Sequence, residues 1–160
     1  MEPSHKRLFF WAAATLIGGP LHFLYDRFPG PVTALFAPDN ESLCEHGKLL
    51  FWPILGAALL CHRRRPSYVK PWLVPLPLLL GLMLGAGYLY HVRLGGSALW
   101  VDLLLYTLLM ALGFWLPTRF SPPYEGPLWT LPVLRTLLLG AAFARFTFHP
   151  PGNILFQVLD

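Results

Sequence analysis

Apolar residues along this chain do not alternate, nor do they repeat every three or four positions. They come in long blocks separated by short polar stretches, the blocks covering about 8–25, 43–61, 71–90, 97–116 and 128–148. A hydrocarbon layer roughly 30 Å thick needs about 20 apolar residues of helix to cross it. The pattern therefore predicts an all-α polytopic membrane protein, a bundle of about five transmembrane helices forming a single integral membrane domain over residues 1–160. The block at 43–61 reaches spanning length only if its polar first turn is counted. Its purely apolar part, 49–61, has the length of a re-entrant segment.

Charges between the blocks decide that point. His5, Lys6 and Arg7 precede the first block, "HRRRPSYVK" (62–70) follows the second, and "TRFSPPYEGP" (118–127) follows the fourth. If all five blocks cross, these regions share one side. That side then holds Lys6, Arg7, Arg63, Arg64, Arg65, Lys70 and Arg119, more than half of the twelve Lys and Arg residues. Positive loops stay in the cytoplasm, so the N-terminus is expected inside, in the plasma (inner) membrane, as a multi-pass protein. A re-entrant second block would strand Arg63–Arg65 outside. The opening "HKRLFFWAAATLIGG" has the basic start of a signal peptide. Its apolar run continues through "PLHFLY" without a small-x-small site, which makes it a retained first span. Gly81 and Gly85 in the third block have the spacing of a close-packing helix face.

Composition agrees, at 55% hydrophobic and only 12% charged, about half the charge of a soluble domain. A soluble fold of 160 residues could not hide that much apolar surface. The net charge of +4 is spread between the blocks and forms no basic face. That excludes nucleic acid as a partner and leaves membrane lipids. Cys44 and Cys61, on one helix, would stand about 25 Å apart, beyond disulfide reach.

The remaining polar residues fall on the other side. Asp26, Asp39, Glu41, Glu45, Asp102 and Asp160 gather there, with His22, His46, His91 and His149. Asn40, Lys48 and Arg145 join them. His22 and Asp26 share a helix face, as do Glu41 and Glu45, each pair being four residues apart. Asp102 lies inside the fourth block, where a lone carboxylate is costly, so Arg145 or a histidine is expected to neutralise it. Imidazole and carboxylate together suit zinc, iron or manganese. The candidate metal ligands are His22, Asp26, Glu41, Glu45 and His46. The candidate acid–base residues are His22, Asp26, Glu41 and Glu45, with Asn40, Lys48, His91, Asp102, Arg145 and His149 in support.

Each of these also has an ordinary role. Asp39 or Asn40 caps a helix well, a His22–Asp26 hydrogen bond fixes packing, and Arg145 can snorkel to the headgroups. Glu45 and His46 point about 100° apart on a helix and form no HExxH. There is no GxSxG, phosphate-binding glycine loop or CxxCH.

"LHFLYD", "LFAPDNESLCEHGKLLFWP", "GGSALWVD" and "FTFHPPGNILF" together resemble a family of small bacterial and archaeal multi-spanning membrane proteins, a domain of unknown function. Its mark is a P-V-N-E-S-x-W-E-H-x-K-L box. The resemblance singles out His22, Asn40, Glu41, Ser42, Glu45, His46 and Lys48, with Asp102 and Pro150–Pro151 further on. Asp39 stands here for the box's valine and Cys44 for its tryptophan. The resemblance implies the fold and a site and supplies no reaction.

Three functions fit an outward-facing His/carboxylate pocket. One is a metal-dependent or acid–base enzyme acting on a lipid or amphiphile. Another is a non-enzymatic binder of metal or a small ligand. The third is a cluster that only packs helices. A transporter would need a polar route to the inner side, where only Arg135 and the loops are available.

Overall fold

A computed structural model describes residues 4–158. Asp160, placed above with the outer carboxylates, lies outside the described residues. The regular structure among them is helical: α1 (Ser4–His22), α2 (Leu24–Arg27), α3 (Pro31–Phe36), α4 (Leu43–Cys61), α5 (Lys70–Leu73), α6 (Leu76–Gly87), α7 (Leu99–Trp115) and α8 (Leu131–Phe148). Single 3₁₀ turns flank several of them, and α6 runs on into a π-helical turn, Tyr88–Arg93. Pro31 opens α3, Pro77 lies in the first turn of α6 and Pro132 in that of α8. Near a helix start the missing proline N–H removes no intrahelical bond. One isolated antiparallel bridge, Ser42 to Val158, ties the C-terminal segment to the start of α4.

Among the described residues four helical stretches are long and apolar enough to cross a membrane: Leu43–Cys61, Pro66–Arg93, Leu99–Arg119 and Pro127–Phe148. They coincide with four of the five expected blocks. The second block is one continuous helix of 19 residues, so nothing in it turns back. The first block differs from the other four because Lys6 and Arg7 stand in the first turn of α1 and lower its mean hydropathy. At 19 residues it is still about 28 Å long, and it packs against α4. Its His22 end stands beside Glu41 and His46 at the start of α4, and its Arg7 end beside Thr118 past the end of α7.

The core is built around α4. Leu50, Phe51, Ile54 and Ala58 on it are 0–1% exposed. The outer helices turn leucines outward instead, with Leu99, Leu103, Leu104 and Leu108 on α7 and Leu134, Leu137 and Leu138 on α8 all exposed. Apolar faces of that extent belong against lipid. Since lipid is as apolar as leucine, close backbone approach has to hold the helices together. A Cβ at Gly18 of α1 would meet the Tyr106 hydroxyl of α7, and one at Gly113 would stand 2.8 Å from Ile54. Tyr106 Oη donates to the Thr15 carbonyl at 3.2 Å across the first contact. The face expected from Gly81 and Gly85 is not used in this way. A Cβ at either position would meet nothing within 4 Å, because both glycines sit on the exposed side of α6.

The two ends of the bundle differ in chemistry. At one end Lys70 Nζ donates to the Tyr124 carbonyl at 3.2 Å, and the Tyr124 ring meets those of Tyr68 and Trp129 edge-to-face, each with centroids 5.1 Å apart. The loop carrying Arg63–Arg65 lies at the same end. Tyr and Trp with basic residues are the usual furnishing of a membrane interface. The carboxylates and histidines of the candidate site lie at the other end.

Candidate metal centre

The site begins with the way α4 is started. Ser42 is its N-cap, in extended backbone, and its Oγ accepts from Glu45 N at 3.4 Å. Asn40 Oδ1 accepts from Ser42 N at 2.9 Å, and Asp39 Oδ1 accepts from Asn40 Nδ2 at 2.7 Å. Asp39 and Asn40 therefore shape the turn before the helix, and neither is the cap expected of them. "SLCE" carries the S-x-x-E capping signature, which places the cap at Ser42. Glu41 is left one residue ahead of the helix, with 59% of its side chain exposed.

The two carboxylates of the segment then part company. Glu45 is buried and forms an ion pair with Lys48, which has no exposed surface. The Lys48 ammonium also donates to the Ala34 carbonyl at 2.6 Å and the Ala37 carbonyl at 3.5 Å. Glu45 Oε2 accepts from Asp39 N at 3.2 Å, and Oε1 lies 3.3 Å from Thr147 Oγ1, whose hydrogen has a closer acceptor in the Phe143 carbonyl at 2.8 Å. One ion pair thus ties α4 to the carbonyls of α3 and its C-terminal end and brings Glu45 against Thr147 of α8, with the buried charges engaged by partners as burial requires. Thr147 was not singled out in the sequence. It lies 102 positions from Glu45 in an apolar helix, and nothing local distinguishes it from Thr136.

Glu41 meets two histidines instead. Its Oε2 lies 3.3 Å from His46 Nε2 and its Oε1 3.6 Å from His22 Nε2. The two rings are tilted against each other with centroids 5.2 Å apart. Each residue offers one donor atom within 4.8 Å of the other two. His46 Nδ1 lies 2.9 Å from the Ser42 carbonyl, which can only accept, so Nδ1 carries the hydrogen. In neutral His46 the Nε2 lone pair then faces a carboxylate oxygen, and a cation, proton or metal ion, has to stand between them. Charge-assisted N–H···O bonds are about 2.7–2.9 Å long, shorter than either contact here. Two ligands each about 2.0–2.1 Å from a tetrahedral metal stand roughly 3.4 Å apart, close to the 3.3 Å contact with His46; the 3.6 Å contact with His22 is made by the other carboxylate oxygen. The Ser42 carbonyl also supplies His46 with the outer partner that metal-binding histidines use to fix ring and tautomer. His22 Nδ1 is buried without a hydrogen-bond partner among the described residues, and its ring rests edge-on against Phe23 at 4.8 Å.

Other expected site residues lie elsewhere. Asp26, on α2, is exposed and outside the triplet. Asp102 is paired with His91, whose Nε2 lies 2.8 Å from its Oδ1, while His91 Nδ1 lies 2.9 Å from the Gly96 carbonyl. Asp102 stands in the first turn of α7, with 39% of its side chain exposed, and is shallower than its place in the apolar block suggests. Arg145 is exposed in the last turn of α8, and His149 ends that helix in the open.

The sequence model of the Family of unknown function (DUF6512) matches residues 5–158. The chain belongs to that family. The matched stretch of this DUF6512 member contains the Glu41 triplet, the Glu45–Lys48 pair and the His91–Asp102 pair together. No curated protein matches the chain, and no solved structure does. On the α6–α8 side of α4, level with these residues, lies an apolar groove of about 120 Å³ lined by Cys44, Gly47, Leu80, Leu84, Phe143 and Phe146 among others.

Proposed function

We propose that this protein is an integral membrane metalloprotein that holds one divalent cation between His22, Glu41 and His46 at the extracytoplasmic end of the bundle. The observation that carries the proposal is His46, committed through Nδ1 to a carbonyl and facing a carboxylate through Nε2. Two imidazoles and a carboxylate, without thiolate, suit zinc, iron or manganese. Three protein ligands leave a fourth position for water, the arrangement of catalytic zinc sites. A water on such a metal would be acidified toward neutral pH and so supply a nucleophile, with His22, Glu41 and His46 holding the ion. The substrate in this reading is a lipid or another amphiphile in the outer leaflet. The placement outside rests on the positive-inside rule applied to the Arg63–Arg65 end.

A second reading, metal binding without turnover, is favoured by one observation. Glu45, expected as a second acid–base group, is tied to Lys48. Incubating the zinc-loaded protein in vesicles of total polar lipids and following lipid composition by mass spectrometry separates the two. Lipid conversion that stops with chelator and with Glu41→Gln supports the enzyme. Unchanged lipids alongside tight metal binding support the binder.

A further inference from the structure

The end of the molecule opposite the histidines carries a second recess, independent of the metal site. A groove of about 420 Å³ opens between α1 and α7. Leu8, Trp11, Ala111, Phe114 and Trp115 form its walls, with Arg7 and Thr118 beside them. Arg7 lies one helical turn before Trp11, and Thr118 one turn beyond Phe114, so both polar residues stand toward the same end of an otherwise apolar slot. The Arg119 guanidinium lies over the Trp115 ring at 5.3 Å, bringing a second cation to that end. Among the described residues no carboxylate stands within ion-pair distance of Arg7 or Arg119.

Two hydrogen-bond donors at this recess lack partners. Arg7 Nε and Trp11 Nε1 are shielded from solvent and have no hydrogen-bond partner among the described residues. Unsatisfied donors are costly at membrane depth, where water cannot make up the loss. The Thr118 hydroxyl is already given to the Trp115 carbonyl at 2.7 Å and cannot supply a proton to a ligand at the same time. What is missing is an anionic acceptor, delivered by something whose remainder is apolar. Guanidinium groups recognise phosphate oxygens in a fixed, paired geometry, and basic pockets between helices on the cytoplasmic side are suited to lipid headgroups.

We infer that the α1–α7 groove binds one anionic phospholipid of the inner leaflet, its phosphate on Arg7 and Arg119 and an acyl chain along Leu8, Trp11 and Phe114. Net negative charge distinguishes the ligand. Two guanidiniums without a carboxylate partner among the described residues attract a phosphodiester with an uncharged headgroup, whereas a choline or ethanolamine cation would be placed beside them and repelled.

The test uses the full-length protein, delipidated in detergent, with bound lipid read by native mass spectrometry. The probes are phosphatidylglycerol, phosphatidylcholine of the same acyl chains, and inorganic phosphate. One phosphatidylglycerol should bind at least tenfold more tightly than phosphatidylcholine, and millimolar phosphate should not displace it. Arg7→Ala and Arg119→Ala should each weaken it severalfold, while Arg63→Ala, which removes a charge at the same end away from the groove, should leave it unchanged. Trp11→Phe keeps the wall and removes one donor; it should weaken binding in a protein whose size-exclusion and circular dichroism profiles match the wild type. Equal retention of the two lipids would overturn the assignment. So would an Arg63→Ala loss as large as that of Arg7→Ala, or displacement by phosphate alone.

Discussion

Lys48 has no exposed surface, and its ammonium is surrounded by the Ala34 and Ala37 carbonyls and the Glu45 carboxylate. Removing one partner of a buried pair leaves the other charged and alone, a loss of about 3–5 kcal/mol. Lys48→Ala should therefore destabilise the protein by that amount in SDS-titrated unfolding. Lys48→Met combined with Glu45→Leu, which removes both charges, should cost less than Lys48→Ala alone. Glu41→Gln should change stability by under about 1 kcal/mol, because an exposed carboxylate contributes little to folding. Asp102→Ala should behave likewise, since its pair with His91 is partly solvated. A loss of several kcal/mol there would mean that Asp102 is enclosed in the membrane environment. The residue types of the site were legible in "DNESLCEHGK" because ionisable groups are rare in such a chain. Their division was not. Whether Glu41 and Glu45 share one cation or take separate ones depends on where the chain leaves the helix axis, and that is set by the Ser42 cap.

Long helices were legible as blocks of leucine because lipid permits no other reading of 20 apolar residues. Short ones were not. The six residues of α3 are too few to show a period, yet α3 supplies a carbonyl to Lys48 and its Leu35 carbonyl accepts from Trp52 Nε1 at 2.9 Å. The ambiguity left by composition concerns α1, whose charged first turn dilutes its hydropathy. If α1 crosses alongside α4, its ends face opposite compartments. In a background of Cys44→Ala and Cys61→Ala, a cysteine at His5 should react with an impermeant maleimide from the same side as one at Ser121. Cysteines at Asp26 and Ser97 should react only from the other side. Labelling of His5→Cys and Asp26→Cys from one face would remove α1 from the set of spans.

Across the whole molecule, charge is sorted along the bundle axis. Arg7, Arg63–Arg65 and Arg119 gather at one end, and Glu41, Glu45 and Asp102 with His22, His46 and His91 at the other, where Arg27, Arg93 and Arg145 also lie, with α4 passing between them through an apolar core. Among the described residues one group, His22, Glu41 and His46, brings three possible ligand atoms within 4.8 Å of one another, and it is this group that the proposed metal would occupy. Metal ligation requires unprotonated imidazoles, so affinity should also fall at acid pH. The decisive measurement is a zinc titration by calorimetry of the purified, chelator-treated protein, run in parallel on His22→Ala, Glu41→Gln, His46→Ala and Asp26→Asn. One equivalent should bind to the wild type and to Asp26→Asn, and affinity should fall at least tenfold in each of the other three while their circular dichroism spectra stay unchanged. Equal binding by all five proteins, or none by the wild type, would contradict a metal centre at this cluster.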